Sequence, residues 1–213
     1  MAMMDLAKMD PRPDHVVLEA SGVALPGAVA SSLSLLNGYH VEGIVVLADA
    51  ETVRDRADDK YMGDTITRQL EDADIVLLNK VDLVDDDARQ STRLWLSTAA
   101  KNAAVLDVTN SQVDPSVLLL DFGRVGDPQS ATPPTHSAHY KTTLINPAEP
   151  VDPKLFADRL IADNPNLVRA KGFVRTTSET LKTIQVTGKR VDITDAPPDV
   201  KPGVVTISIN QHR

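Results

Sequence analysis

A chain of 213 residues, 42% hydrophobic and 24% charged, has the composition of a folded globular protein and the length for one substantial domain or two small ones. Its formal net charge of −8, with no basic run to offset it, argues against a nucleic-acid partner. It has no cysteine, which excludes disulfides and thiolate metal sites within the chain; no membrane-spanning apolar stretch or leader-like start is visible, so a cytoplasmic protein is expected.

With three Phe, three Tyr and one Trp, the core must be built mainly from Val, Leu, Ile and Ala, the palette of parallel strands buried under helices. Met1 to Met9 carries helical propensity. His15 to Ala20 predicts a short buried strand, and Ala28 to Asn37, with Pro26 before it and Gly38 after it, predicts a helix. Gly43 to Ala48 is an apolar run too short for a helix and rich in β-branched residues. The polar stretch from Glu51 to Asp74 predicts one or two helices ending near Leu70, and Asp74 to Leu78 a third strand. Asp85 to Ala100 reads as a helix whose acidic first turn and following Lys101 complement the helix dipole. Ala103 to Val108 is a fourth strand, and Asp114-Pro115 opens a short helix.

This alternation predicts an α/β domain over 1–121, with a parallel sheet covered by helices. Over 122–138, Pro128, Pro133 and Pro134 among Gly, Ser and Thr predict a linker. The grammar changes over 139–213. Tyr140 to Asn146 can be a strand, and Asp152-Pro153 caps and starts a helix reaching about Ala162. Val168 to Thr176, Lys182 to Thr187, Arg190 to Thr194 and Val204 to Ile209 are strand candidates, with Gly188-Lys189 as a hairpin turn. A small α+β domain with mostly antiparallel strands is expected there.

The most specific chemical signal is Asn79-Lys80-Val81-Asp82, directly after the strand ending at Leu78. An Asp at that place can accept two parallel hydrogen bonds from the ring N–H and exocyclic amine of guanine, a donor pair adenine lacks. The Lys80 stem can lie over the base and Asn79 can tie neighbouring loops together. The end of a parallel strand is also where open α/β sheets bind ligands. A weaker signal is Glu19-Ala20-Ser21-Gly22: an acidic residue at a strand end places a carboxylate near magnesium in nucleotide hydrolases, and Gly22 can bring a backbone N–H to a terminal phosphate. Strands often end in Glu, so this pattern alone decides nothing. No G-x-x-x-x-G-K-[ST] phosphate loop occurs in the sequence. His136 and His139 are three apart, but Pro133 and Pro134 oppose a helix there, and solvated linker histidines are the expectation.

Together these pieces resemble the CobW family of GTPases, relatives of the nickel chaperones HypB and UreG. Glu19-Ala20-Ser21-Gly22, with Pro26, is similar to the family's E-T/S-S-G-x-x-x-P segment, and Val45-Val46-Leu47-Ala48-Asp49-Ala50 to its V-V-D-A strand end. Gln69 through Asp82 is similar to its Q-I-x-x-A-D-x-I-x-L-N-K-x-D run, and Arg169-Ala170-Lys171-Gly172 to the R-A-K-G of its C-terminal domain. The resemblance implies a P-loop GTPase-type α/β fold without the P-loop strand, followed by a CobW-type C-terminal domain. It implies a protein of GTP-dependent metal delivery, with GTP and Mg as cofactors, zinc or cobalt as cargo and a client metalloprotein as partner. Asn79, Lys80 and Asp82 would read guanine, Glu19 would help position magnesium and water, and Gly22 would sit near the terminal phosphate.

The family's P-loop and C-x-C-C motif precede the segment where the resemblance begins, and Leu25 replaces an Asp common in the family. An N-terminal truncation is the simplest expectation, with a split gene as the other. Guanine nucleotide binding is then expected to be weak or absent, and catalysis lost in this chain alone. Loss of the strand leading into the P-loop would leave neighbouring strands unpaired, so self-association, aggregation or a complementing N-terminal fragment is expected. The alternative function is a non-catalytic interaction module that binds a client through the C-terminal domain.

Overall fold

The structure, a computed structural model, describes residues 2–6, 8–119 and 140–210. The linker expected over 122–138, both domain boundaries beside it, and His136 and His139 lie outside the described residues. In chain order, α1 (Ala2–Leu6) and α2 (Pro26–Leu33) precede β1 (Val45–Asp49), then α3 (Val53–Ala57), α4 (Gly63–Asp72) and β2 (Ile75–Asn79). A 3₁₀ turn over Val81–Leu83 leads to α5 (Asp86–Ala99), β3 (Ala104–Asp107) and α6 (Pro115–Leu118). After these come β4 (Tyr140–Ile145), α7 (Pro153–Asp163), β5 (Leu167–Arg175), β6 (Leu181–Thr187), β7 (Arg190–Asp195) and β8 (Gly203–Ile209).

The first three strands form a parallel sheet in the order β1-β2-β3, and the last five form an antiparallel sheet in the order β4-β8-β5-β6-β7. The fold is therefore α/β followed by α+β, as the sequence patterns predict. Sequence chemistry sets several boundaries directly. The Asp85 carboxylate accepts from the Ala88 N–H at 2.7 Å and caps α5, and Asp152 accepts from Leu155 N–H at 2.8 Å and caps α7 ahead of Pro153. Gly188, at φ +57°, opens the two-residue turn between Thr187 and Arg190.

The largest differences from expectation fall on two early segments, while other element ends shift by one to three residues. His15 to Ala20 forms no strand and joins no sheet among the described residues. Its apolar run has strand composition, but an extended segment whose N–H and C=O groups lack a ladder partner gains nothing over an irregular path. The second helix starts at Pro26 and stops at Leu33, earlier than Asn37. The Ser31, Ser32 and Ser34 hydroxyls bond back to the carbonyls of Gly27, Ala28 and Ser31, a local competition that weakens helix continuation.

The period of two in each strand divides the side chains among three cores. Val76 and Leu78 face Leu70 of α4 and Leu96 of α5, while Ile75 and Leu77 face the opposite way. That second face is covered by the antiparallel sheet, through Val168, Phe173, Val205 and Ile207. The far side of the antiparallel sheet, with Ala170, Val174, Ile184 and Val186, packs on Ala157 and Leu160 of α7. A register shift between Leu167 and Arg169 changes which face the β5 side chains take, so that Arg169 reaches towards the parallel sheet. The two sheets thus share one core.

Candidate functional site

The residues that the sequence singles out at Asn79–Asp82 lie at the C-terminal end of β2, where the strand leaves the fully buried run Ile75–Leu78. Lys80 adopts φ +62°, ψ +32°, a left-handed conformation unusual for a residue with a side chain. That turn sends the chain into the 3₁₀ segment carrying Asp82. The Asp82 carboxylate is exposed and has no hydrogen-bond or ion-pair partner among the described residues, so both its oxygens are open to a ligand.

Two neighbouring strands hold this turn. Asp49 stands opposite Asn79 in the parallel register, and its Oδ2 lies 2.6 Å from Lys80 Nζ. Asp49 Oδ1 accepts from the Glu51 N–H at 2.9 Å. Burial works against the Asp49 carboxylate, but the Lys80 ammonium and the backbone donors after it prevail and hold its pKa below the ordinary aspartate value. The same hydrogen bond raises the Lys80 pKa. On the other side, the Asn79 amide makes a two-way clasp with Ser111 in the loop after β3. Asn79 Nδ2 donates to Ser111 Oγ at 3.0 Å, and Ser111 N–H donates to Asn79 Oδ1 at 2.8 Å. Asn110 and Ser111 both have positive φ, at 52° and 55°, which turns the loop back over the strand ends.

Glu19 and Gly22 sit elsewhere. Both are exposed in the irregular segment before α2, and no hydrogen bond or ion pair joins either to the Asn79 cluster among the described residues. Gly22 lies in open space, where an added Cβ would meet nothing within 4 Å. Its carbonyl accepts from Gln69 Nε2 at 3.0 Å, and the Ala24 carbonyl accepts from the same amide at 2.9 Å. Asp72 then accepts from the Gly27 N–H at 2.8 Å, placing a carboxylate at the N-terminus of α2. The polar residues of the Gln69–Asp74 run therefore have a positional meaning that spacing alone does not disclose: Gln69 and Asp72 hook the preceding segment onto α4.

Ser111 carries no signal of this clasp in the sequence, and Asp49 stands there only as part of the strand end similar to V-V-D-A, without a role. The Thr109-Asn110-Ser111 turn after a strand carries the right residue types for a tight loop. Nothing local says that it closes on Asn79. Among the described residues no group of three or more His, Asp and Glu side chains forms a metal cluster. No helix among them is long and apolar enough to cross a membrane.

Architecture and site together define an α/β protein that presents a polar cluster at the C-terminal edge of a parallel sheet, with an α+β unit packed on one face. The chain belongs to the CobW family: residues 1–107 match the CobW/HypB/UreG nucleotide-binding domain, and residues 140–210 match the cobalamin synthesis protein cobW C-terminal domain. It is 25% identical over 228 aligned positions to a zinc chaperone CobW from Sinorhizobium sp, covering 89% of this chain and 64% of the relative. It is 25% identical over 134 positions to zinc-regulated GTPase metalloprotein activator 1 of Schizosaccharomyces pombe, covering 59% of this chain and 31% of that protein. The chain thus spans less than two thirds of the length of either relative. Among solved structures, Zn(II)-bound YjiA GTPase from E. coli aligns with a TM-score of 0.40 at 20% identity, over 88% of this chain and 63% of that one.

Proposed function

We propose that this chain carries the guanine-reading part of a GTP-dependent metal-delivery protein, with Asp82 as the base-reading carboxylate. The observation that carries the reading is the exposed Asp82 carboxylate, which has no partner among the described residues and is set behind a turn that Asn79 and Ser111 clasp from one side and Asp49 and Lys80 from the other. A carboxylate held this way offers two acceptors to the paired donors of guanine and repels the acceptor edge of adenine. Lys80 supplies an aliphatic stem beside the base. Glu19 and Gly22 are assigned to the magnesium and terminal-phosphate side. Magnesium with GTP would supply neutralisation of the phosphate charge.

The residues fit the two ends of the nucleotide unequally. The base end has a carboxylate, an amide clasp and an ordered turn. For the phosphates, the 213 residues contain no glycine-rich Lys-Ser or Lys-Thr loop, and Gly22 lies in open space. Nucleotide affinity in this chain alone is therefore weak and hydrolysis is absent. The zinc chaperone name of one relative supports zinc as the cargo, and the metalloprotein activator name of the other supports a metalloprotein as the client, with cobalt the other candidate cargo. Residues 1–121 are the nucleotide unit and 139–213 the client-facing unit, and a cytoplasmic location suits that role.

Calorimetry with GDP and GTP in magnesium, with ATP as control and Asp82→Ala as the site variant, tests the reading. Guanine-selective binding that Asp82→Ala removes supports it. Failure of the wild-type chain to bind millimolar guanine nucleotide overturns it and favours the interaction module built on the C-terminal unit.

A further inference from the structure

We propose that Asp49 is a positioning residue for the base site, acting by clamping the Lys80 ammonium so that the lysine stem forms a fixed wall beside the guanine. The clamp rests on the base-site reading above and deepens it.

Three observations converge on the clamp. Asp49 and Asn79 are cross-strand partners at the last step of the β1–β2 ladder, so the Asp49 side chain and the start of the Lys80 turn leave the sheet together. Lys80 Nζ lies 2.6 Å from Asp49 Oδ2, while Asp49 Oδ1 is taken by the Glu51 N–H and the Thr52 N–H donates to the Asp49 carbonyl. The carboxylate is therefore fixed by its own backbone before it meets the lysine. Lys80 also holds a left-handed backbone, which is unfavourable for a residue with a Cβ. Strain of this kind persists where the surroundings over-determine it, and gathers at functional sites.

The pair does little for the fold as such. Its side chains are 48% and 24% exposed, and ion pairs this open to water add little to stability. What it restricts is the rotamer freedom of a lysine, which is large when the side chain is free. A lysine already held against Asp49 does not lose that freedom again when a base arrives, so the clamp acts on ligand affinity more than on stability.

The experiment uses the full chain and magnesium-GDP as the probe, measured by calorimetry on wild type, Asp49→Asn, Lys80→Met, the double variant and Asp82→Ala. Each variant is also unfolded in urea. The rate at which an amine-acylating reagent labels Lys80, read by peptide mass spectrometry, reports the clamp without nucleotide. Asp49→Asn keeps an oxygen for the Glu51 N–H, so its urea midpoint is expected to match wild type. GDP affinity is expected to fall about tenfold, and Lys80 labelling to rise several-fold. In the Lys80→Met background Asp49→Asn is expected to cost nothing further, because residues acting through one another are not additive. Wild-type-like GDP binding by Asp49→Asn, with binding lost in Asp82→Ala, overturns the clamp and leaves the base reading intact. Equal losses from Asp49→Asn with and without Lys80 also overturn it. Absence of GDP binding in wild type overturns the base reading and the clamp's role together, and unchanged Lys80 labelling in Asp49→Asn overturns the clamp alone.

Discussion

Arg169 Nη2 lies 3.1 Å from Glu42 Oε2, joining a β5 side chain that is 2% exposed to the segment that leads into β1. The same guanidinium donates to the Leu118 carbonyl, and Lys171 reaches the other Glu42 oxygen at 3.2 Å. His15 Nδ1 is 3.3 Å from Glu42, and the Glu42 carbonyl accepts from Thr187 Oγ1 and Gln185 Nε2. Glu42 is thus the point at which the segment leading to Glu19, the parallel sheet and the antiparallel sheet meet. Removing it leaves a buried guanidinium without its counter-charge, so Glu42→Gln is expected to lower unfolding stability by about 3 kcal/mol, the low end for breaking a buried pair. A urea midpoint equal to wild type would show that Arg169 finds another acceptor.

The pH dependence of two carboxylates should run in opposite directions. Burial alone would raise the Glu42 pKa, but Lys171, Arg169 and His15 outweigh it and hold it below the ordinary value. A lowered folded pKa contributes stability above the unfolded glutamate value, lost as pH falls through the folded one. At Asp74 burial wins over the Ile44 N–H and Arg190, and the pKa is raised. Its ionised form is the costly one, and relative stability is regained as pH falls from the folded pKa to the ordinary aspartate value. Glu42→Gln is therefore expected to cost more at pH 7 than at pH 3, and Asp74→Asn less at pH 7 than at pH 3. Urea unfolding of both variants against wild type at the two pH values gives the signs.

Replacing Asp82 with Asn should exchange base preference rather than abolish binding. The amide puts an N–H donor where the carboxylate accepted, which suits the carbonyl of xanthine and repels the guanine amine. Competition between GDP and xanthosine diphosphate for Asp82→Asn measures this; continued preference for GDP would remove Asp82 from the base site.

The tip of the β6–β7 hairpin touches the start of β2 and the end of α5 with no room for a methyl group. A Cβ on Gly188 would stand 2.3 Å from the Asp74 carbonyl oxygen and 2.8 Å from that of Asn102, at a positive φ. Gly188→Ala is expected to cost about 2 kcal/mol through overpacking and backbone strain, a fall of about 4–8 °C in Tm for a chain of this size. Differential scanning calorimetry gives the shift, and an unchanged Tm would mean that the hairpin tip does not dock there in solution.

Among the described residues β1 is an edge of the parallel sheet, and Leu47 on it is 59% exposed, with Val45 38% exposed. An apolar strand with an unpaired edge invites pairing with another chain. The full chain is expected to show concentration-dependent mass by light scattering, reduced in Leu47→Lys. A monomer at every concentration would count against self-association through this edge.

Much of this protein is legible in its residues before any fold is known. Short apolar runs between helix-length polar stretches predict buried strands under helices, and Asp152-Pro153 and Gly188-Lys189 mark a helix start and a hairpin turn by local chemistry. The Asn79–Asp82 turn is equally legible, because a polar tetrapeptide after a fully buried strand has to emerge at a sheet edge. The remainder came from the packing of distant elements. His15–Ala20 has strand composition yet joins no sheet, since a strand is made by its neighbour and not by its residues. The Asn79–Ser111 clasp and the Glu42–Arg169 junction join residues 32 and 127 positions apart, and the Asp49–Lys80 pair likewise crosses between strands. The separation of those elements in sequence carries no sign of their contact. Periodicity tells which face of a strand is buried; it does not tell what buries it, and here the answer for Ile75 and Leu77 is a second sheet.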